Sequence, residues 1–268
     1  MHPIEHMRYL ARTTGEDPGI IASESAAALG RVARVEPVGL LPACRRLIAR
    51  HLTTGPVWWV SARMLAAPDP AAEARSLVDQ LDDDPTPGQL AGALPDDSTV
   101  LVIGWPELAA PALRRRGDVE VLAIDAAGAG HALARRLEQE GNSAWPVPDA
   151  GVAAAAVNAG LVLVEAVAAG PSGVLASLPS HAAAAAACHA GVPVWALAGV
   201  GRVLPDRLWE VLLARFDATG LEPWDRDVEL VPDSLLAGVV GPDGLVGATD
   251  GLSAATCEVA PELLRDAG

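Results

Sequence analysis

The stretch from Leu161 to Pro205, LVLVEAVAAGPSGVLASLPSHAAAAAACHAGVPVWALAGVGRVLP, constrains the fold of this chain more than any other. Its first four residues, Leu161 to Val164, are all apolar, the pattern of a strand buried on both faces of a parallel sheet. A Gly170-Pro171-Ser172-Gly173 turn follows, then a short apolar piece at Val174 and Leu175. Pro179-Ser180-His181 opens a helix with six consecutive alanines from Ala182, and Gly191 closes it. Val192 to Leu197 supplies a second buried run. Strand, crossover helix and strand in this order predict a parallel sheet covered by helices.

The flanking sequence extends the pattern. Thr99 to Ile103 and Val119 to Ile124 read as buried strands, with a helix over Glu107 to Arg116 between them and another over His131 to Glu140 behind. Further helices are expected at Ala153 to Ala159 and Leu208 to Arg215, and a closing strand at Val228 to Pro232 leads on toward Val246. Alternation of this kind predicts an α/β fold with a doubly wound, mainly parallel Rossmann-like sheet. Residues 1 to 88 read instead as a helical N-terminal domain. Leu40, Leu41, Cys44, Leu47 and Ile48 keep helical spacing, with Arg45, Arg46 and Arg50 on the other face. Asp17-Pro18 and Thr54-Gly55-Pro56 separate its helices, and Val57-Trp58-Trp59-Val60 is a bulky cluster suited to a core or an interface. The acidic, proline-bearing LDDDPTP segment from Leu81 to Pro87 marks the boundary, so that residues 89–268 form the α/β domain.

Composition excludes several functions. Nineteen basic residues against 34 acidic ones give a formal charge of −15, which opposes direct nucleic-acid binding. Every basic residue is arginine. Without a lysine the chain has no amine for a Schiff base, a pyridoxal phosphate anchor or a Walker A loop. Arginine in place of lysine is what a GC-rich genome encodes, and it gives the expectation of a bacterial source. Apolar runs are too short to span a bilayer, and the N-terminus around His2, Glu5 and His6 has no signal-peptide apolar segment, so a cytoplasmic location is expected. Cys44, Cys188 and Cys257 are odd in number and widely spaced in apolar surroundings, and read as small core residues, neither metal ligands nor a disulfide framework.

The run of apolar strand, glycine turn, Val-X with small polar residues, alanine helix and Gly191-Val192-Pro193-Val194 resembles the family of translation initiation factor 2B regulatory (α/β/δ) subunits. The superfamily also contains the methylthioribose-1-phosphate and ribose-1,5-bisphosphate isomerases. The resemblance covers most of residues 95–265 and includes the closing Val231-Pro232 segment. It implies a homodimer through the α/β domain. In the isomerases it would place a cysteine after the first sheet strand, where this chain has Gly104 and Trp105, and an aspartate where this chain has Val167, with Glu165 two positions away. That isomerase chemistry is therefore not expected here. A bacterial source also opposes nucleotide exchange on a eukaryotic-type initiation factor, which the host would have to possess.

Three groups of residues are candidates for ligand contact. Asp125 falls at the carboxyl end of the second predicted strand, where it suits a ribose diol; Gly128, Gly130 and His131 follow into a helix N-terminus that favours an anion. The alternative is that Asp125 caps the turn and the glycines shape it. Ser177, Ser180 and His181 lead into the alanine helix, with Ser180 equally placed to be its N-cap. Gly199-Val200-Gly201-Arg202 offers a third backbone cradle with a cation beside it, or a simple turn. The sequence thus favours a non-catalytic binder of a small phosphorylated metabolite or nucleotide, with no cofactor or metal. Two alternatives stand beside it: a divergent sugar-phosphate isomerase-like enzyme using Asp125, Glu165 or His181, and an assembly protein with a decayed pocket.

Overall fold

A computed structural model describes residues 18–265. His2, Glu5, His6 and Asp17 lie outside the described residues. Four helices come first: α1 (Pro18–Val35), α2 (Leu40–Arg50), α3 (Gly55–Ala66) and α4 (Pro70–Asp82). The expected amphipathic face of α2 buries Leu40, Cys44, Leu47 and Ile48. In α1 the buried residues Ile21, Ala22, Ser25, Ala26, Leu29 and Val32 keep the three-and-four spacing. Gly30 lets α1 meet α4 closely, since a Cβ there would fall 2.6 Å from that of Ala74. Nearly all of α3 is buried, with Trp58 and Trp59 fully enclosed, so the double tryptophan is core. Their indole N–H groups are satisfied by the Leu52 carbonyl and the Thr256 hydroxyl at 2.8 and 2.9 Å.

The sheet alternates with α5 (Thr86–Ala93), β1 (Thr99–Ile103), α6 (Ala109–Arg114), β2 (Glu120–Ile124), α7 (Ala129–Gln139), β3 (Ser143–Val147) and α8 (Val152–Asn158). Then come β4 (Leu161–Gly170), β5 (Gly173–Ser177), α9 (Ser180–His189), β6 (Val194–Leu197) and α10 (Asp206–Asp217). The chain closes through β7 (Val228–Pro232), β8 (Gly238–Gly241), β9 (Gly244–Gly247) and α11 (Ala248–Leu252). Strand order is β3-β2-β1-β4-β6-β8-β9, parallel except for the last pair. Alternate residues of the central strands enter cores on opposite faces. Leu101, Val162 and Ala196 pack with α8 and α9, whereas Val102, Leu163 and Leu197 pack with α5, α6 and α7. The expected doubly wound α/β fold is present.

Three local readings change. The Gly170–Gly173 turn is a hairpin: β4 runs on to Gly170 and pairs antiparallel with β5, which pairs with β7. β3 has no counterpart among the strands expected from sequence, because SAWPV is an edge strand of mixed exposure interrupted by Pro146. Of the three cysteines only Cys44 is buried; Cys257 is intermediate and Cys188 is exposed on α9, where the sheet-facing positions are Ala183, Ala184 and Ala187.

The helical segment is fastened to the sheet. Trp58, Trp59 and Leu47 share one core with Ala168, Leu175, Trp209, Leu212 and Phe216. At the start of α3, a Cβ on Gly55 would fall 2.9 Å from the Arg202 carbonyl oxygen and 3.0 Å from the Ala168 Cα.

Candidate functional site

From β1 the chain steps to β2 and β3 on one side of the sheet, and from β4 it steps to β6 and β8 on the other. At such a reversal the connections leave over opposite faces, and a crevice opens beyond the carboxyl ends of the strands. Here it is a cavity of about 1070 Å³. The β1–α6 connection contributes Gly104, Trp105, Pro106 and Glu107 to its wall, and β4 contributes Glu165 and Val167. The β5–α9 turn adds Ser177 to Ser180, the α2–α3 connection adds His51 to Thr54, and the segment between α10 and β7 adds Thr219, Leu221 and Arg226.

The β1–α6 connection is tightly held. Gly104 takes a left-handed φ of 62°, and its N–H donates to the Ile124 carbonyl at 2.9 Å. Pro106 confines the preceding Trp105 to extended backbone. The next three N–H groups, of Glu107, Leu108 and Ala109, donate to the Glu165 carboxylate at 3.0, 2.9 and 3.2 Å. Arg202 adds a fourth donor from Nη1 at 3.1 Å. A carboxylate offers about four acceptor sites, so these contacts occupy Glu165 and leave it no ready capacity for acid–base work. Arg202 is itself buried, 3% exposed; Nη1 also donates to the Ala166 carbonyl at 2.6 Å, and Nη2 lies 3.4 Å from Glu107 Oε2.

Of the residues singled out from the sequence, Ser177 and Ser180 line the cavity. Asp125, Gly128, Gly130, His131 and His181 are not on its wall. The Asp125 carboxylate accepts the N–H of His131 at 2.8 Å, which is the capping alternative. Gly130 provides close packing of α7 on β2, because a Cβ there would fall 2.2 Å from the Ile124 carbonyl oxygen. Gly128, at φ 83°, is the left-handed residue before α7. The N–H of His181 is capped by Glu229 of β7 at 2.9 Å, and Ser180 is the first residue of α9, following Pro179 at the N-cap position. The Gly199–Arg202 cradle does hold an anion, but it is the chain's own. Val200 N–H donates to Asp84 at 2.9 Å, and a Cβ on Gly199 would collide with that carboxylate.

Sequence reasoning missed that Glu165 and Arg202 meet, and that the α2–α3 connection and Arg226 reach the same cavity. A signal for the first was present: a charge inside LVLVEAV enters a buried strand and needs a partner there. Gly104, Trp105 and Val167, the positions at which the isomerase resemblance would place a thiol and a carboxylate, all line the cavity.

Against solved structures, the chain is similar to a translation initiation factor eIF-2B of Pyrococcus horikoshii OT3. The TM-score is 0.74 at 14% identity, covering 91% of this chain and 96% of that one. The fold is that of the initiation factor 2B subunits. It is likewise similar to eIF2B beta of Chaetomium thermophilum, with TM-score 0.73, 18% identity and coverage of 96% and 92% of the two chains. A chain of the tetrameric eIF2B-beta2-delta2 complex from C. thermophilum matches with TM-score 0.73, 18% identity and coverage of 93% and 92%. No family model matches the sequence, and no curated protein matches it. Among the described residues no helix is long and apolar enough to cross a membrane, and no group of His, Cys, Asp or Glu is arranged to hold a metal ion.

Proposed function

We propose that this chain is an initiation factor 2B-related protein that binds a small phosphorylated metabolite or nucleotide in the switch-point cavity without isomerising it. The observation that carries the reading is the composition of the cavity wall. It joins the apolar residues Ile103, Pro106, Val167 and Leu178 to Thr53, Thr54 and Ser177 and to the cationic residues Arg50 and Arg226, the latter held over the Phe216 ring and beside Asp217. Apolar walls with a few placed polar groups are the usual form of a small-ligand site. No cysteine is among the described residues that line the cavity, and of the acids on its wall, Glu107, Asp149, Glu165 and Asp227, the one beside the isomerase acid position, Glu165, is occupied by four donors. We propose further that the chain works as a homodimer in the cytoplasm of a bacterium. One solved neighbour is a chain of a tetrameric complex of eIF2B beta and delta subunits, which supports assembly through this fold.

The test is calorimetry with nucleoside monophosphates and pentose phosphates, run beside an assay for aldose-to-ketose conversion of methylthioribose 1-phosphate and ribose 1,5-bisphosphate. Binding with no conversion is expected. Turnover of either sugar phosphate would overturn the non-catalytic reading.

A further inference from the structure

We infer that the occupant of this cavity carries a planar aromatic base, as a nucleoside monophosphate does and a bare pentose phosphate does not, and that Trp105 is the plane on which the base stacks. The inference rests on the binding reading above and narrows its ligand class.

Trp105 lines the cavity and is 46% exposed. Among the seven tryptophans its situation is particular. Trp58, Trp59 and Trp209 are core residues, Trp195 is partly buried against the core, Trp145 donates its indole N–H to Glu120, and Trp224, although exposed, is not on the cavity wall. An indole left open inside a concave, largely apolar wall presents a flat apolar face to water that a flat ligand covers well.

The backbone that carries the ring is also held before any ligand arrives. Gly104 turns the chain in front of it, Pro106 restricts its backbone behind, and the three following N–H groups are fastened to Glu165. A platform on so restrained a backbone has less freedom to lose on binding, which favours affinity. A pentose phosphate offers hydroxyls and charge but no flat apolar face. A nucleotide offers all three, and Thr54, Ser177 and Arg226 on the same wall suit its ribose and phosphate.

The experiment compares adenosine 5′-monophosphate, guanosine 5′-monophosphate and ribose 5-phosphate by calorimetry on the full chain, on Trp105→Ala and on Trp105→Phe. At least one nucleotide is expected to bind about tenfold or more tighter than ribose 5-phosphate, the range that base stacking supplies. Trp105→Ala should abolish that advantage while leaving ribose 5-phosphate affinity unchanged, and Trp105→Phe should keep most of it. Ribose 5-phosphate binding as tightly as both nucleotides, or Trp105→Ala weakening all three alike, would overturn the stacking inference and leave the binding reading standing. Binding of none of the three would overturn both. If Trp105→Ala changes the oligomeric state on light scattering while nucleotide affinity holds, the ring belongs to a contact between copies and the inference fails.

Discussion

The residues that organise the cavity are Glu165 and Arg202, and their chemistry dictates what replacing them does. A guanidinium held by two carboxylates and a carbonyl cannot lose one side of the arrangement without leaving uncompensated charge in a buried place. Arg202→Ala is therefore expected to lower unfolding free energy by about 3 to 5 kcal/mol, read from urea denaturation midpoints. A loss under about 1 kcal/mol, the value of an exposed pair, would show that solvent reaches the cluster. Cys44 gives a second prediction at this scale. Burial pushes its thiol up from 9.0 to about 12, so the folded state keeps a proton that the unfolded state releases. The associated stability is complete below pH 9 and is lost as pH rises toward 12, at about 1.4 kcal/mol per pH unit. Cys257, raised to about 11, acts in the same direction. With no lysine and a single tyrosine, few other groups titrate there. Denaturation at pH 8, 9, 10 and 11 should show this decline, and Cys44→Ala should flatten it; an equally steep decline in the variant would assign the effect elsewhere. At this scale the sequence was partly legible. Asp125 and Gly130 were visible as a carboxylate and a glycine at a helix entry, but whether such residues serve a ligand or the backbone depends on distances to His131 and Ile124 that sequence does not contain.

At the scale of elements, the central strands were legible because burial on both faces leaves an unbroken apolar run, as from Val100 to Ile103 and from Leu161 to Val164. Strands lying at an edge or in the antiparallel extension were harder to read. β3 mixes exposed residues with a proline, and β5 is only five residues beside a glycine turn. The strand order was not legible at all, and it decides the site. Asp125 follows β2, one strand away from the reversal between β1 and β4, whereas Gly104 follows β1 and Glu165 lies on β4, the two strands that flank it. The packing of α7 on β2 makes a direct prediction. Gly130→Val places atoms where the Ile124 carbonyl stands, so the helix must move away from the strand. Loss of a cooperative thermal transition, or a midpoint lowered by more than 10 °C, is expected by circular dichroism. A midpoint within 2 °C of the parent would show that α7 does not approach β2 this closely.

For the whole molecule, the notable feature is the core shared by the helical segment and the sheet. Trp209 and Phe216 of α10 pack with Trp58 and Leu47 of the first helices, and the α2–α3 connection forms part of the cavity wall. Removing the helices would expose that core, so assembly must be measured on the full chain. Light scattering is expected to give twice the chain mass, and a monomer at micromolar concentration would contradict the homodimer. The sequence showed the resemblance that gives the fold, but not the cavity, which depends on residues more than a hundred positions apart, such as Thr54 and Ser177. The most direct test of that cavity as the ligand site is calorimetric titration of adenosine and guanosine 5′-monophosphate and ribose 5-phosphate into the full chain and into Ser177→Trp. That substitution fills the cavity from an exposed position at the end of β5. One site per chain that disappears in Ser177→Trp, with the thermal midpoint unchanged, is the predicted result. Heat identical in both proteins, or none in the parent for any of the three ligands, would contradict the account.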